Sequence, residues 1–280
     1  NYWLSFRSAG LQEWSTRNSD VLFFSGKDWE VLEKYPNTAA HLPVLNIAQP
    51  RHTLLNDPRH RFLKNPAIRI AKSKTGKDIL LDHGVNGPVF LIPDAIDPDT
   101  LPQVNPSPKY DLLLVGLKNE PLAGRLESYI RQLVKGMEAP LSLIVQYPPK
   151  LPTREDFLAL VNQASMVCFL PNAEDRGFEG FYLPALEAMA MKKLVICPDV
   201  VGNRDFCVHQ FNCLKPEYSE TAIQESLKTA FSMTDEQKRN LIQRGYETSG
   251  KYHIQQEREA YLNLLGQVDD LWQNKKLFHD

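Results

Sequence analysis

The chain has 280 residues, 42% hydrophobic and 24% charged, which is the ordinary balance of a soluble globular protein and enough length for two cores. Its net charge of -2 comes from 32 basic and 34 acidic residues and gives no overall drive toward nucleic acid or an anionic membrane. No apolar run approaches the length of a membrane span.

In chain order, the sequence opens NYWLSFRSAG, without an initiator Met or the apolar stretch of a signal peptide, so a processed or trimmed cytoplasmic chain is expected. Short apolar runs then alternate with amphipathic segments. Strands are predicted at Asp20–Ser25, Val44–Ile47, Ile68–Ala71, Val89–Ile92, Asp111–Val115, Ser142–Val145, Met166–Leu170 and Leu194–Cys197. Their low internal polarity suits strands buried on both faces, as in parallel sheets. Between them, Thr153-Arg-Glu-Asp156 and Thr234-Asp-Glu-Gln237 carry helix-start patterns, and a last long helix is predicted from about His253 to Trp272. The β-α-β-α order predicts an α/β class with mostly parallel sheets.

The proline-rich stretch from Ile92 to Asp111 reads as an interdomain linker. The predicted domains are 1–105, 106–250 and a C-terminal helix over 251–280. Of the four cysteines, none falls in a zinc spacing, and Cys168 and Cys197 lie in apolar strand-like runs, which suits reduced core thiols.

The segment GFEGFYLPALEAMA, residues 177–190, concentrates the chemistry. It follows a predicted strand, and Pro184 stands where a helix begins, so free backbone N–H groups are presented at the carboxyl end of a parallel strand. Such a place suits phosphates. Glu187 lies one turn into the helix among Leu183, Leu186, Ala188, Met189 and Ala190, which leaves little polar face for an ordinary surface glutamate. A carboxylate there can accept hydrogen bonds from a vicinal diol such as a ribose, and Glu179 in the loop can do the same for a sugar ring. The local reading is a diol-plus-diphosphate site for a nucleotide-sugar.

The same block, Glu179-Gly-Phe-Tyr-Leu-Pro-Ala-Leu-Glu187-Ala-Met-Ala, resembles the E-x7-E signature of retaining GT-B glycosyltransferases, the large family that includes sucrose synthases and bacterial mannosyltransferases. AIRIAKS (67–73), LIPDAID (91–97), YDLLLVGLKN (110–119) and LVICPDVVGNRDFCVHQFNCL (194–214) resemble its further segments, so the likeness spans most of the chain.

The resemblance implies two Rossmann-like domains facing across a cleft, the N-terminal one reduced, with the chain end returning to the N-terminal domain and coupling to domain closure. It implies hexosyl transfer from a nucleotide-sugar to a glycan or lipid-linked acceptor, with retention and without a metal or other cofactor. No Asp-x-Asp stands at a predicted strand end. A role in cell-surface polysaccharide building follows as an expectation, in the cytoplasm and with at most peripheral contact with the inner face of the membrane, through Arg51, Arg59, His60, Arg61 and Lys64. No nucleic-acid partner is expected.

By position, Glu187 would bind the ribose and Glu179 the donor sugar. The backbone of Gly180, Phe181 and Tyr182 would approach the sugar and diphosphate. Gly116, Lys118 and Arg125 would serve the diphosphate, with Arg204 as a substitute phosphate ligand. His52, beside Arg51, would contact the donor sugar, with His83 a weaker candidate. Ser25-Gly26-Lys27-Asp28 would line the cleft.

The sequence departs from the family pattern at Tyr182, which takes the place of a glycine, and lacks a clear N-terminal glycine-rich loop, Ser8-Ala9-Gly10 being the nearest match. These departures keep open a non-catalytic nucleotide-sugar-binding module, and the GT-B resemblance keeps open a nucleotide-sugar epimerase, against which the 179–190 block argues.

Overall fold

The computed structural model describes residues 20–34, 42–135, 141–172 and 179–279. Ser8-Ala9-Gly10 and most of the loop before Glu179 lie outside them. The chain divides into two compact units, one of Asn1–Pro93 with Arg258–Asp280 and the other of Asp94–Glu257.

In the first unit, β1 (Leu22–Ser25), β2 (Val44–Ile47), β3 (Ile68–Ala71) and β4 (Val89–Leu91) form a parallel sheet in the order β1-β2-β3-β4. Helices α1 (Glu30–Lys34) and α2 (Lys74–Asp82) connect strands, and Ser73 caps α2 by accepting from the Gly76 amide at 3.1 Å. In the second unit, β5 (Tyr110–Val115), β6 (Leu143–Gln146), β7 (Ala164–Phe169) and β8 (Leu194–Ile196) form a parallel sheet in the order β6-β5-β7-β8. Its helices are α3 (Glu120–Val134), α4 (Arg154–Asn162), α5 (Leu183–Ala190), α6 (Glu220–Ser232) and α7 (Asp235–Ser249). All eight predicted strands are present, with ends shifted by no more than two residues. Both predicted helix starts carry reciprocal capping boxes, Thr153 with Asp156 and Thr234 with Gln237.

Alternate side chains of the second sheet feed two cores. Leu113, Val115, Val167 and Phe169 join α4 and α5 on one face. Leu112, Leu114, Met166 and Cys168 join α3 and α6 on the other. This two-sided burial is why these strands read as continuous apolar runs. All four cysteines are buried, free thiols, in keeping with the sequence reading.

The domain boundary expected near residue 105 falls instead after Pro93. Ile96 is buried in the second unit's core, donates to the Tyr252 carbonyl at 2.7 Å and accepts from Ile254 N–H at 2.9 Å. Asn162 fixes Gln103 and Asn105 by hydrogen bonds of 2.7 and 3.0 Å. The prolines suggested a free linker, but its backbone is paired on the second unit. The expected final helix is two helices, α8 (Ile254–Leu265) and α9 (Val268–Gln273), broken at Gly266-Gln267. Leu264 and Val268 pack on Leu45, Ile68 and Ile70 in the first unit.

A polar chain runs through the first sheet. Arg69 on β3 is fully buried. It donates to Asn46 Oδ1 on β2 at 2.6 Å and to the carbonyls of Phe62, Leu63 and Asn65. Asn46 in turn donates to the Phe24 carbonyl on β1 at 3.0 Å. Burial lowers the Arg69 pKa to about 9, still cationic at neutral pH. Replacing Arg69 with Leu strands these acceptors in a dry core, and we expect the first unit to lose about 3–5 kcal/mol. Among the described residues the tryptophans, Trp29 and Trp272, both belong to that unit, so urea unfolding followed by tryptophan fluorescence reads the loss. A cost below about 1 kcal/mol would contradict this account.

Candidate active site

The β6-β5-β7-β8 order reverses direction at β5: the chain leaves β5 for one neighbour and returns to pair on its other side with β7. A crevice opens at the carboxyl ends of strands where such a reversal occurs. Here the two strand ends carry Gly116–Lys118 and Pro171–Asn172. Gly116 is needed for close approach, because a Cβ there would lie 2.4 Å from Ala123 Cβ at the start of α3. Asn119 caps α3 by accepting from Leu122 N–H at 3.4 Å.

Across the crevice, Glu179 Oε1 accepts from Lys118 Nζ at 2.6 Å and from the Asn172 amide at 3.0 Å. The turn at Gly202 backs this loop: a Cβ on Gly202 would come within 2.9 Å of the Glu179 carbonyl. Two predicted residues from distant segments, Lys118 and Glu179, are thus brought together.

Glu187, on the second turn of α5, is only 3% exposed. Its Oε1 accepts from Arg154 Nε at 3.0 Å and Nη2 at 2.5 Å. Burial raises the Glu187 pKa, and Arg154 works against that rise. Glu187, Arg154 and Lys118 line one pocket of about 500 Å³ with Lys150 and the apolar Leu117, Phe157 and Leu183. Such a pocket suits a flat or apolar group beside a diol and an anion.

Other predicted residues lie differently. Arg125 donates to Glu220 on α6 at 2.6 Å and to the Pro121 carbonyl at 3.1 Å, and it does not line the pocket. Arg204 is paired with Asp199 through Nε at 3.0 Å and Nη2 at 2.8 Å. The Tyr182 amide, expected to face a ligand, donates instead to the Gly202 carbonyl at 2.8 Å. The Tyr182 ring is buried edge-on to Phe169, and the Lys118 ammonium stands 5.5 Å from its centroid. Phe181 packs its ring on Phe206 and Tyr252, and Gly180 is buried beside it.

The profile of the family described as glycosyl transferases group 1 matches residues 101–248, just over half of the chain. The chain belongs to this family. None of the curated proteins compared matches the sequence. Among solved structures, sucrose-phosphate synthase from Thermosynechococcus elongatus aligns at TM-score 0.65 and 14% identity, over 90% of this chain and 74% of that one. The Anabaena protein HepE, solved with UDP and glucose, aligns at TM-score 0.67 and 13% identity, over 89% of this chain and 78% of that one. A UDP-forming trehalose-phosphate synthase from Burkholderia xenovorans aligns at 0.66 and 13%, over 89% and 74%. At such identities the likeness establishes the fold, which is of the GT-B type expected from the sequence.

In this group 1 glycosyltransferase, sequence reasoning missed Arg154, Lys150 and Phe157 as pocket residues. One signal was present for Arg154: it is a cation in the first turn of a helix, where the dipole disfavours positive charge.

The first unit holds His52, buried on a short helical turn over Pro50–Thr53. Its Nδ1 accepts from the Gln49 amide at 3.3 Å, so the neutral ring carries its proton on Nε2, a buried atom with no hydrogen-bond partner among the described residues. Burial first, then the Arg59 charge, lowers its pKa to about 4. His83 meets His60 edge-on at 5.0 Å, and partial burial followed by the His60 charge lowers its pKa. Ser25–Asp28 forms a turn closed by Asp28 accepting from the Ser25 amide at 2.7 Å. The basic stretch is partly neutralised, Arg59 by Asp57 and Arg61 by Glu33 at 3.0 Å. Among the described residues, no helix is long and apolar enough to cross a membrane.

Because the folded state of His52 binds its proton less well than an unfolded histidine near 6.5, the stability it permits is present above that pH and lost as pH falls toward 4. At pH 5 the loss relative to pH 8 amounts to about 2 kcal/mol. We expect His52→Gln to flatten the difference between urea midpoints at pH 8 and pH 5, whereas an unchanged difference would assign the acid sensitivity elsewhere.

Proposed function

We propose that the chain moves a hexosyl unit from a nucleoside-diphosphate sugar to a hydroxyl of a glycan or lipid-linked acceptor, retaining the anomeric configuration and without a divalent metal. The observation that carries this reading is the pairing of Lys118 with Glu179 at the sheet's reversal point, next to a pocket that holds Glu187. The fold likeness to HepE, whose structures hold UDP with glucose and UDP-glucose, supports a donor of this kind.

In this reading the apolar walls at Leu117, Phe157 and Leu183 take the base, Glu187 the ribose, and Lys118 and the start of α3 the diphosphate. Lys118 has three N–H donors, so it can hold Glu179 and a phosphate oxygen together. Glu179 then accepts from donor-sugar hydroxyls. The acceptor oxygen bonds to the anomeric carbon as the carbon–diphosphate bond breaks, and the acceptor proton passes to the departing diphosphate oxygen. Catalysis lies in positioning and in stabilising the negative charge that develops there. His52 is neutral at pH 7, because burial and the Arg59 charge lower its pKa to about 4, and that makes it poorly suited to service as a base. Arg125 and Arg204, each committed to a carboxylate, are the weaker phosphate candidates.

A thermal-shift panel with UDP, GDP and ADP and their sugar conjugates tests the donor site. At about 100 times Kd, one nucleotide family should add roughly 2.7 kcal/mol of stability, lost in Glu187→Ala. No shift with any of them would overturn the donor site, and binding without turnover would make the chain a non-catalytic module. Where turnover is found, Lys118→Ala should lower kcat/KM by about 10² to 10³. Loss of turnover in EDTA, or a product of inverted configuration by proton NMR, would correct the metal and stereochemical parts of the reading.

A further inference from the structure

Glu187 is a buried carboxylate whose charge has one close counterpart among the described residues. From α4, Arg154 places two N–H donors of one guanidinium edge on Oε1, at 3.0 and 2.5 Å, while no described residue donates to Oε2. Among the described residues, the other neighbouring elements bring no second ion pair. Lys118, after β5, is bonded to Glu179, and Lys150, after β6, lines the same pocket without a bond to Glu187. Tyr182, before α5, has its phenol pKa raised well above the usual value, by burial first, and stays neutral. Helix α7 meets α5 through Gly245 on Met189, and β8 is apolar. Lys193, past the far end of α5, is spent on the Asn162 carbonyl at 2.9 Å.

Arg154 itself is 41% exposed and stands at the first position of α4, where the helix dipole disfavours a cation. A helix start is a poor place for an arginine chosen for local stability. The fork to Glu187 accounts for its presence.

Resting on the nucleotide-sugar reading for the identity of the ligand, we propose that Arg154 is the positioning residue of Glu187. It holds the carboxylate by Oε1, keeps it ionised and leaves Oε2 to accept the ribose hydroxyls. Burial alone drives Glu187 toward the neutral acid, whose O–H is a donor and accepts a diol less well. With Arg154 in place the site takes its ligand across the neutral range, and without it a proton competes for the same oxygens.

Two readouts test this on the full chain. In the ligand-free protein labelled with ¹³C-carboxyl glutamate, the Glu187 resonance, assigned by its loss in Glu187→Gln, should titrate at higher pH in Arg154→Met than in wild type and move part-way back in Arg154→Lys. In calorimetric titrations with UDP, GDP and ADP, wild-type affinity for the nucleotide that binds should differ less than about twofold between pH 6 and pH 8. Arg154→Met should bind about tenfold more weakly at pH 6 than at pH 8, the equivalent of about one unit of proton competition. Glu187→Gln and the double variant Arg154→Met with Glu187→Gln should bind weakly at both.

An unmoved Glu187 titration in Arg154→Met overturns the proposal. So does a uniform loss of affinity at both pH values, which would make Arg154 a direct ligand contact. Absence of nucleotide binding in wild type, with the Glu187 resonance shifted as expected, would refute the donor reading and leave the positioning role standing.

Discussion

Parallel strands place all their carboxyl ends on one edge of a sheet, and the second unit turns that constraint into a site. Because the chain departs from β5 toward β6 and comes back to β7, the helices that follow β5 and β7 lie on opposite faces and their first residues diverge. The gap is lined with backbone and with the few side chains long enough to reach across. Lys118 and Glu179 do so, 61 positions apart, and the glycines at 116 and 202 let the backbone come close enough behind them. Among the described residues, the first sheet, with its simple β1-β2-β3-β4 order, has no such reversal.

The two units differ in how they treat buried charge. In the first, the two terminal nitrogens of Arg69 donate to backbone carbonyls and an amide, and among the described residues no carboxylate pairs with it, so its charge is held by dipoles. In the second, Glu187 is matched by a partly exposed arginine, an arrangement in which one partner is solvated while the other is not. The former suits permanent architecture, since nothing in it needs to open. The latter suits a site, since the solvated partner matches the acid's charge through one carboxylate oxygen and leaves the other unbonded among the described residues.

The parts of the fold that follow from short-range pattern were legible in the sequence. Buried parallel strands announce themselves as unbroken apolar runs, and capping boxes depend on residues three apart, so all eight strands and both helix starts at Thr153 and Thr234 could be read. The acid pair at 179 and 187 was legible because one acid was embedded among apolar neighbours. What escaped was the choice of partners. Arg125 pairs with Glu220, Arg154 with Glu187 and Asn46 with Arg69, over separations of 95, 33 and 23 residues that no local pattern encodes. The boundary near residue 105 was missed for a related reason. Five prolines within 92–111 hid the buried Ile96, and its backbone partners at Tyr252 and Ile254 lie far along the chain.

The clasp formed by Arg69 has a consequence for variation. Three of its four acceptors are main-chain carbonyls, at Phe62, Leu63 and Asn65, which every amino acid supplies. The hydrogen-bonded part of that anchoring is therefore indifferent to side chains, while Phe62 and Leu63 add buried packing of their own. A chain built this way can exchange the outward residues between Leu54 and Arg61 wholesale, through drift or by grafting, while the return into β3 stays seated. The cost of that freedom falls on one codon, at position 69, whose guanidinium no other side chain replaces.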